Sequence, residues 1–287
     1  MSVYSEYGRL TSVAVCSPKF YETTAPINQR QVREYQRPES VSVAALQGEH
    51  AGALQVMRKY VRYVIDVPPV PGLPYMFNIR DACFVVGDVF MQARMGRAVR
   101  ASEPEHVAAA LAATVTGAHL NEGAIEGGDV IVAGRRVLVG VSERTNELGL
   151  ESLKRYLEAA TAEPMEVVPI PLASGVLHLD TALGLLESVA IVCSDMLAVS
   201  RTALSEILGR RTILEVSLAE ADWFPTNLLS LDTRHVILAA GNDRIASVLR
   251  GLGWEVEEIP MSEHHRIGGS IRCMTLPLAR DGGLEAS

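Results

Sequence analysis

A cysteine near the C-terminal end of the chain, Cys273, has the setting of a nucleophile. It follows the pair Gly268-Gly269, and a flexible glycine turn can present a sulfur at the mouth of a pocket. Sulfur is intrinsically nucleophilic, and a nearby base or cation readily converts a thiol to the reactive thiolate. Most isolated cysteines are small buried hydrophobes, however, so Cys273 needs the support of other residues.

Two upstream motifs supply carboxylates and an imidazole that could serve such a thiol. They are Glu126-Gly127-Gly128-Asp129 and Leu177-His178-Leu179-Asp180-Thr181. On a strand, His178 and Asp180 would share one face and could act together in a pocket. The ordinary alternatives are that both residues face solvent, and that Glu126 and Asp129 flank a turn with a capping aspartate.

Other charged residues are weaker candidates when judged by type alone. Asp81 precedes an apolar segment, where a solvent-facing boundary residue is common. Arg100 and Arg144 are two arginines among many, and most arginines lie on the surface. Adjacent residues on a strand point apart and no third metal ligand is evident, so we expect His264 and His265 at the surface or on the rim of a channel.

The bulk composition indicates a globular enzyme. The chain has 287 residues, which is long enough to form a large core. Its content of 48% hydrophobic and 21% charged residues argues against disorder. A net charge of −8 disfavours general binding to nucleic acid but would attract a cationic small molecule. The sequence contains neither a P-loop nor a G-x-G-x-x-G motif, so nucleotide chemistry has no support.

Cysteine usage indicates a reducing compartment. The four cysteines, Cys16, Cys83, Cys193 and Cys273, are far apart and form no C-x-x-C pair, which disfavours structural zinc and disulfides. The N-terminal residues lack the pattern of a signal peptide, and no apolar run approaches the length of a membrane span. We therefore expect a cytoplasmic protein that does not bind membranes.

Short apolar segments alternate with amphipathic ones along the whole chain. The patterns predict strands at 10–15, 82–92, 129–132, 136–139, 183–192, 235–239 and 254–257, and helices at 41–62, 103–114, 148–161 and 242–252. A strand, strand, helix, strand order recurs without a repeat in the sequence itself. No linker divides the chain, so we expect one α/β domain over residues 1–287. The polar segment at about 17–40 contains three prolines and is expected to be an irregular lid or disordered.

Five short blocks, taken together and in order, resemble the guanidino-group modifying superfamily of arginine deiminases, dimethylarginine dimethylaminohydrolases and amidinotransferases. The blocks are Asn78-Ile79-Arg80-Asp81, Glu126-Gly127-Gly128-Asp129, Ser142-Glu143-Arg144-Thr145-Asn146, Leu177-His178-Leu179-Asp180 and Gly268 to Met274. Their pattern is most similar to that of the arginine deiminase-like hydrolases. The resemblance implies a pseudo-fivefold α/β propeller of ββαβ units, the pentein type, with the active site in its central channel.

The resemblance also implies a role for each candidate residue. Cys273 would be the nucleophile, His178 the general acid and base, and Glu126 the partner that orients and charges His178. The remaining candidates would bind substrate: Asp81 and Asp180 clamp the guanidinium, Arg144 and Arg100 grip the substrate's carboxylate, and Phe77 and Asn78 complete the pocket. The implied chemistry needs no cofactor and no metal ion.

These roles imply a cysteine-dependent hydrolase of L-arginine or a modified arginine, acting through a covalent amidino-cysteine intermediate. The His-x-Asp pattern favours a guanidinium without methyl groups, because the dimethylarginine hydrolases commonly carry lysine where Asp180 stands. One alternative is an amidinotransferase, and another is a propeller that only binds arginine-like ligands. The expected partner is a small guanidino compound rather than nucleic acid or a membrane. The sequence is also compatible with a homodimer.

Overall fold

The computed structural model describes residues 2–22, 25–37, 39–115, 117–161 and 164–282 of the 287-residue chain. Within these ranges, fifteen strands form five separate three-stranded sheets. The strands are β1 (Arg9–Cys16), β2 (Tyr63–Val67), β3 (Cys83–Val86), β4 (Val89–Gln92), β5 (Gly117–His119), β6 (Val130–Ala133), β7 (Arg136–Val141), β8 (Glu166–Pro171), β9 (Leu183–Leu185), β10 (Val189–Val192), β11 (Thr212–Glu215), β12 (Leu229–Ser230), β13 (His235–Ala239), β14 (Glu255–Ile259) and β15 (Thr275–Asp281).

The helices alternate with the strands along the chain. They are α1 (Gln29–Glu34), α2 (Val43–Tyr60), α3 (Ile79–Ala82), α4 (Glu103–Leu111), α5 (Glu147–Ala160), α6 (Arg201–Leu208), α7 (Leu218–Ala221), α8 (Asp243–Gly251) and α9 (Ser262–Ile267). None of the helices described is both long and apolar enough to cross a membrane.

All five sheets have the same topology. In each, the middle strand pairs antiparallel with one neighbour and parallel with the other, as β4 does with β3 and β5. A parallel pair needs a crossover connection, and a helix supplies it in every unit. The first unit joins both ends of the chain, because β15 pairs antiparallel with β1, which pairs parallel with β2. The pseudo-fivefold ring of ββαβ units predicted from the sequence is therefore confirmed.

The hydrophobic core is divided among the interfaces between neighbouring units. One apolar cluster joins the first and second units through Leu276, Phe90 and Val107, and four similar clusters fill the other interfaces around the ring. Helices bury one stripe against these clusters: in α5, Leu150, Leu153 and Leu157 are buried. Each unit thus depends on both neighbours, which fixes the inner ends of the strands relative to one another.

Two segments predicted as single strands are hairpins instead. Residues 82–92 form β3 and β4, and residues 183–192 form β9 and β10. Both members of each hairpin are almost wholly buried, so an apolar run lies on each side of a short polar turn, at Gly87-Asp88 or Glu187-Ser188, and the two runs together resemble one long strand. Gly87 has a positive φ of 57°, which suits its place in the turn. Short edge strands such as β5 and β11 were missed because their side chains are largely exposed.

A short turn precedes the first strand of each unit, and these turns contact one another at the centre of the ring. Before β3 the turn is α3; before β6 and β9 it is a 3-10 helix, Gly127–Asp129 and Leu179–Thr181 respectively. Residues 271–274 form the turn before β15, and Thr226 and Asn227 lie just ahead of β12. The candidate acid, base and nucleophile all lie in or directly beside these turns.

The predicted lid at about 17–40 is more ordered than expected in its described parts. It contains a 3-10 turn at Pro18–Phe20 and the helix α1, which forms because Asn28 Oδ1 caps it by accepting from the Gln31 amide at 2.8 Å. Asn28 Nδ2 and Gln31 Nε2 both donate to the carbonyl of Ile267, at 3.1 and 3.2 Å. These bonds fasten the segment to α9. Positions 23, 24 and 38 lie outside the described residues.

Candidate active site

Cys273 lies at the centre of the ring, in the turn between α9 and β15, and is buried. Its Sγ is 3.2 Å from Asn227 Nδ2 and 3.9 Å from Asp180 Oδ2. Burial, together with the nearby carboxylates of Asp180 and Asp81, raises the pKa of the thiol well above its ordinary value. Without a ligand, Cys273 is therefore a protonated thiol.

The glycine pair before this turn has a steric purpose. Gly268 ends α9 in the left-handed conformation, with φ of 92°. A side chain at Gly269 would place its Cβ 2.9 Å from Asn78 Oδ1. Both glycines are thus needed to bring Cys273 close to the Asn78 side of the site.

His178 lies between two carboxylates and is buried. Its Nε2 is 2.8 Å from Glu126 Oε2, and its Nδ1 is 3.6 Å from Asp81 Oδ1. Burial alone would lower the pKa of His178, but Asp81 and Glu126 outweigh it and raise that pKa to about 9. Although burial raises the pKa of Glu126, the bond and charge of His178 dominate and lower it to about 2. His178 is therefore a cation at neutral pH, with Glu126 as its anion.

The same three side chains, Asp81, Glu126 and His178, offer ligand atoms within 4.8 Å of one another and are a candidate metal site on geometry alone. A metal ion must displace the proton from the histidine that binds it. With the pKa of His178 at about 9, that displacement is unfavourable at neutral pH. The imidazolium already supplies positive charge at the place that a metal ion would occupy.

Asp81 and Asp180 are arranged alike, with one oxygen held and the other open. Arg100 Nη1 lies 2.6 Å from Asp81 Oδ2, and Arg272 Nη1 lies 2.8 Å from Asp180 Oδ2. Within the part of the chain that the structure describes, Asp81 Oδ1 and Asp180 Oδ1 are buried and have no hydrogen-bond partner. Burial and the neighbouring Asp81 raise the pKa of Asp180 despite its bond to Arg272. A ligand with N–H groups and positive charge would satisfy both oxygens.

Arg100, expected to grip a substrate carboxylate, is buried against protein acceptors. Besides Asp81, it donates to Glu103 Oε2 at 2.8 Å and to the Asn78 carbonyl at 3.2 Å. This arrangement orients Asp81 and holds the chain at Asn78. The geometry thus favours a positioning role over direct contact with a substrate carboxylate.

Arg144 is also buried, and it connects the lid to the acid–base pair. Its Nη1 lies 3.1 Å from Glu126 Oε2, and its Nη2 donates to the carbonyl of Ile27 at 2.5 Å. Both bonds are to protein groups, so a substrate carboxylate would have to displace at least one of them.

Phe77 and Asn78 lie on the lid side of the site. The Phe77 ring packs edge-on against Tyr21 and His264, at centroid distances of 6.0 and 5.7 Å, in an apolar cluster beneath the lid. Asn78 Oδ1 is buried beside Gly269 and lacks a hydrogen-bond partner among the described residues. Asn78 thus offers an acceptor to a ligand, whereas Phe77 packs against Tyr21 in the segment at about 17–40.

Two expectations from the sequence are wrong. His178 and Asp180 lie in and beside a 3-10 turn rather than on a strand, and Asp129 secures that turn by accepting from the Leu179 amide at 2.9 Å. His264 and His265 are buried instead of exposed, because they belong to the helix α9. His264 Nδ1 contacts Glu49 Oε2 at 2.7 Å, and His265 Nε2 contacts Ser270 Oγ at 3.1 Å.

Two site residues, Arg272 and Asn227, were not recognised in the sequence. Arg272 adjoins Cys273 and also contacts Glu6 Oε1 at 3.1 Å, so it ties Asp180 to the N-terminal segment. Asn227 contacts the sulfur directly. Arg272 could have been found from its place beside the nucleophile, and Asn227 only from the repetition of one turn in every unit.

Comparison with known protein sequences identifies relatives over most of the chain. A family model described as arginine deiminase matches residues 39–247. The uncharacterized protein YkgA of Bacillus subtilis is 29% identical over 278 residues, covering 96% of this chain and 94% of that protein. The N(G),N(G)-dimethylarginine dimethylaminohydrolase of Mycobacterium tuberculosis is 29% identical over 280 residues, covering 94% and 86%.

Solved structures share the fold at lower sequence identity. SxtG, an amidinotransferase from Microseira wollei in the saxitoxin biosynthetic pathway, has a TM-score of 0.80 at 21% identity, with 99% of this chain and 98% of that chain covered. A mutant DDAH from Pseudomonas aeruginosa complexed with citrulline has a TM-score of 0.77 at 20% identity, with 93% and 99% covered. The family model spans well over half of the sequence, and the chain therefore belongs to the arginine deiminase family, within the guanidino-group modifying superfamily that its five sequence blocks predicted.

Proposed function

We propose that this protein is a cysteine-dependent hydrolase of a guanidino compound, with L-arginine or a modified arginine as its substrate. The observation that carries the proposal is the pair of open carboxylate oxygens, Asp81 Oδ1 and Asp180 Oδ1, among the described residues around His178 and Cys273. A guanidinium is planar, cationic and rich in N–H donors, so it can satisfy both oxygens and lie flat beside the sulfur.

Substrate binding would also activate the thiol. The carboxylates of Asp81 and Asp180 contribute to the high pKa of Cys273, in addition to its burial. A guanidinium bound between them brings positive charge next to the sulfur and offsets their negative potential. The thiol then releases its proton to solvent, and the resulting thiolate attacks the central guanidinium carbon.

His178 supplies the proton that the leaving group needs. As the S–C bond forms, the imidazolium donates its proton to the departing nitrogen, the C–N bond breaks, and ammonia or an amine leaves. The product of this step is an amidino group bound to Cys273. His178 is now neutral, held by Glu126 at 2.8 Å, and can act as a base.

Water completes the cycle. Neutral His178 accepts a proton from a water molecule as its oxygen attacks the amidino carbon, and the C–S bond then breaks to release a ureido product and the thiolate. One water is consumed and one C–N bond is replaced by a C–O bond. A guanidinium without methyl groups fits best, because Asp180 Oδ1 can then receive an N–H donor.

An amidinotransferase would share the first half of this cycle and use an amine in place of water. A module that only binds arginine-like ligands would need the two clamps but neither Cys273 nor His178. The deciding experiment incubates the protein with L-arginine, with and without candidate amines, and identifies the products by mass. A ureido product without added amine supports hydrolysis, transfer to the amine supports the alternative, and unchanged arginine contradicts both for this substrate.

A further inference from the structure

Asn227, a residue without any evident motif around it, contacts the sulfur of Cys273 inside the ring. The side chain is fully buried and comes from the turn ahead of β12. Its Nδ2 lies 3.2 Å from Cys273 Sγ. Its Oδ1 accepts from the backbone amides of Arg272, at 3.0 Å, and Cys273, at 3.3 Å.

These contacts fix the orientation of the Asn227 amide. A backbone N–H can only donate, so the two amides of Arg272 and Cys273 require an oxygen opposite them. If the side-chain amide were flipped, its NH₂ group would face two other donors, and its oxygen, now 3.5 Å from Sγ, would take the nearer place at 3.2 Å. The observed orientation therefore follows from the hydrogen-bond network, and it directs an N–H donor at Sγ.

We infer that Asn227 is a catalytic residue whose Nδ2–H group donates to the Cys273 sulfur and stabilises the thiolate, both before attack and when sulfur departs in the hydrolytic step. The inference rests on the proposed function and deepens it. The need for such a donor is clear from the surroundings, because Asp180 Oδ2 lies 3.9 Å from the sulfur and opposes negative charge on it. A fixed donor gives the thiolate a partner that does not depend on the substrate.

The fivefold architecture supports the same conclusion independently. In four units, the turn before the first strand carries Asp81, Glu126 with Asp129, His178 with Asp180, or Cys273. The turn of the remaining unit carries Asn227 at the equivalent place, two residues before β12, as Cys273 lies two residues before β15. Each unit thus contributes a polar side chain to the centre.

An isosteric substitution of Asn227 can test the donor end of its amide separately from the acceptor end. Asn227→Asp keeps an oxygen for the amides of Arg272 and Cys273 but replaces the donor facing the sulfur with a carboxylate oxygen. A proton on that oxygen would pass to the thiolate, because a thiol is a weaker acid than a carboxyl group. The variant should therefore hold Cys273 as a thiol to higher pH. Because the added charge contributes to this shift, the uncharged variant Asn227→Ser is needed to distinguish loss of the donor from addition of the charge.

The measurement is the rate of alkylation of Cys273 by iodoacetamide as a function of pH, followed by intact mass without substrate. We expect Asn227→Asp to react about tenfold or more slowly than wild type at each pH below the thiol's titration, which corresponds to a shift of about one pH unit. Asn242→Asp is the matched control, since Asn242 is also buried but donates to the carbonyls of Trp223 and Ala239. It should react at the wild-type rate.

A second variant guards against misfolding. Asn227→Ser shortens the side chain and withdraws the donor without adding charge, so it should also slow alkylation, by a smaller factor. Wild-type rates and pH dependence in whichever variant folds would overturn the inference. Because iodoacetamide needs no guanidino substrate, slow alkylation in the variants combined with no turnover by wild type would contradict the proposed function and leave the role of Asn227 intact.

Discussion

Arg144 Nη2 donates a hydrogen bond of 2.5 Å to the backbone carbonyl of Ile27, and this bond connects the lid to the acid–base pair. The other end of the same guanidinium binds Glu126, which in turn holds His178 at 2.8 Å. A change in the position of the lid at Ile27 therefore acts on the carboxylate that keeps His178 protonated. We therefore expect movement of the segment at about 17–40 and protonation of His178 to be coupled through this side chain.

Replacing Arg144 by lysine tests this coupling. A lysine keeps the charge but lacks the planar fork needed to bind Glu126 and the Ile27 carbonyl together. Loss of one hydrogen bond to a charged group costs about 1.5–3 kcal/mol, so we expect kcat/KM to fall by roughly tenfold to a hundredfold. Amide hydrogen exchange at residues 25–37 should accelerate in the same variant. Arg97→Lys, at a partly exposed pair with Glu143, is the control and should behave like wild type.

The lid should respond to substrate. The bonds from Asn28 and Gln31 to the Ile267 carbonyl hold the segment at about 17–40 against α9, and the candidate catalytic groups are buried, so we expect this segment to open for entry of substrate. We expect hydrogen exchange in this segment to be fast without ligand and slow with a bound guanidino compound. Equal exchange in both states would mean that the segment is a fixed part of the surface and that substrate enters elsewhere.

Cys273→Ser should abolish turnover while the fold and ligand binding persist. A serine hydroxyl is far less nucleophilic than a thiolate, and the clamps Asp81 and Asp180 are unaltered. The thermal unfolding temperature and the affinity for the guanidino compound should stay near their wild-type values. Mass spectrometry should detect a covalent adduct on the wild-type protein and none on the serine variant. The other cysteines serve as internal controls, because Cys16, Cys83 and Cys193 are buried in the apolar clusters. Normal turnover by the serine variant would remove Cys273 from the mechanism.

The pKa of His178 predicts how stability depends on pH. It is raised from 6.5 to about 9 in the folded protein. A raised pKa contributes stability fully below pH 6.5, and that contribution is lost as pH rises through 9. The loss is on the order of 3 kcal/mol of unfolding free energy. Denaturant unfolding at several pH values should show this decline in wild type and not in His178→Asn, and equal slopes for the two proteins would contradict it.

Much of the site could be predicted from the sequence, because most functional side chains belong to short blocks with unusual residue types. Three short patterns are recognisable locally: His-x-Asp, Glu-Gly-Gly-Asp and the glycine pair before Cys273. In the structure, His178 lies 2.8 Å from Glu126, and the sulfur of Cys273 lies 3.9 Å from Asp180. Asn227 could not be recognised, since a single asparagine before a strand is indistinguishable from a turn residue.

The partners of long side chains were beyond sequence reasoning. Arg100 and Arg144 were expected to face a substrate carboxylate, but each reaches protein acceptors contributed by other turns and by the lid. Which acceptor an arginine finds depends on the packing of several units around the axis. The same dependence explains why His264 and His265 are buried and not exposed. Both belong to the helix α9, which the sequence pattern did not predict.

The last prediction separates the two clamps from general electrostatics. Asp81→Asn and Asp180→Asn each preserve shape but remove one negative charge beside the bound cation. Leaving a buried cation short of a partner costs on the order of 2–5 kcal/mol, against about 0–1 for an exposed pair. We therefore expect kcat/KM to fall by roughly two orders of magnitude or more in each variant, with little dependence on moderate salt.

Two comparisons make this test specific. Asp195→Asn changes an exposed carboxylate and should leave kcat/KM unaltered, whereas Asp129 is unsuitable as a control because it is buried and secures the turn of His178. Each clamp variant also removes one of the two carboxylates that Arg100 or Arg272 contacts, so a general disturbance must be distinguished from the loss of the clamp. Loss of the clamp weakens binding of cationic arginine far more than binding of the neutral ureido product, while a disturbed site weakens both. Equal weakening, or a mild and salt-sensitive effect, would show that Asp81 and Asp180 do not hold the guanidinium.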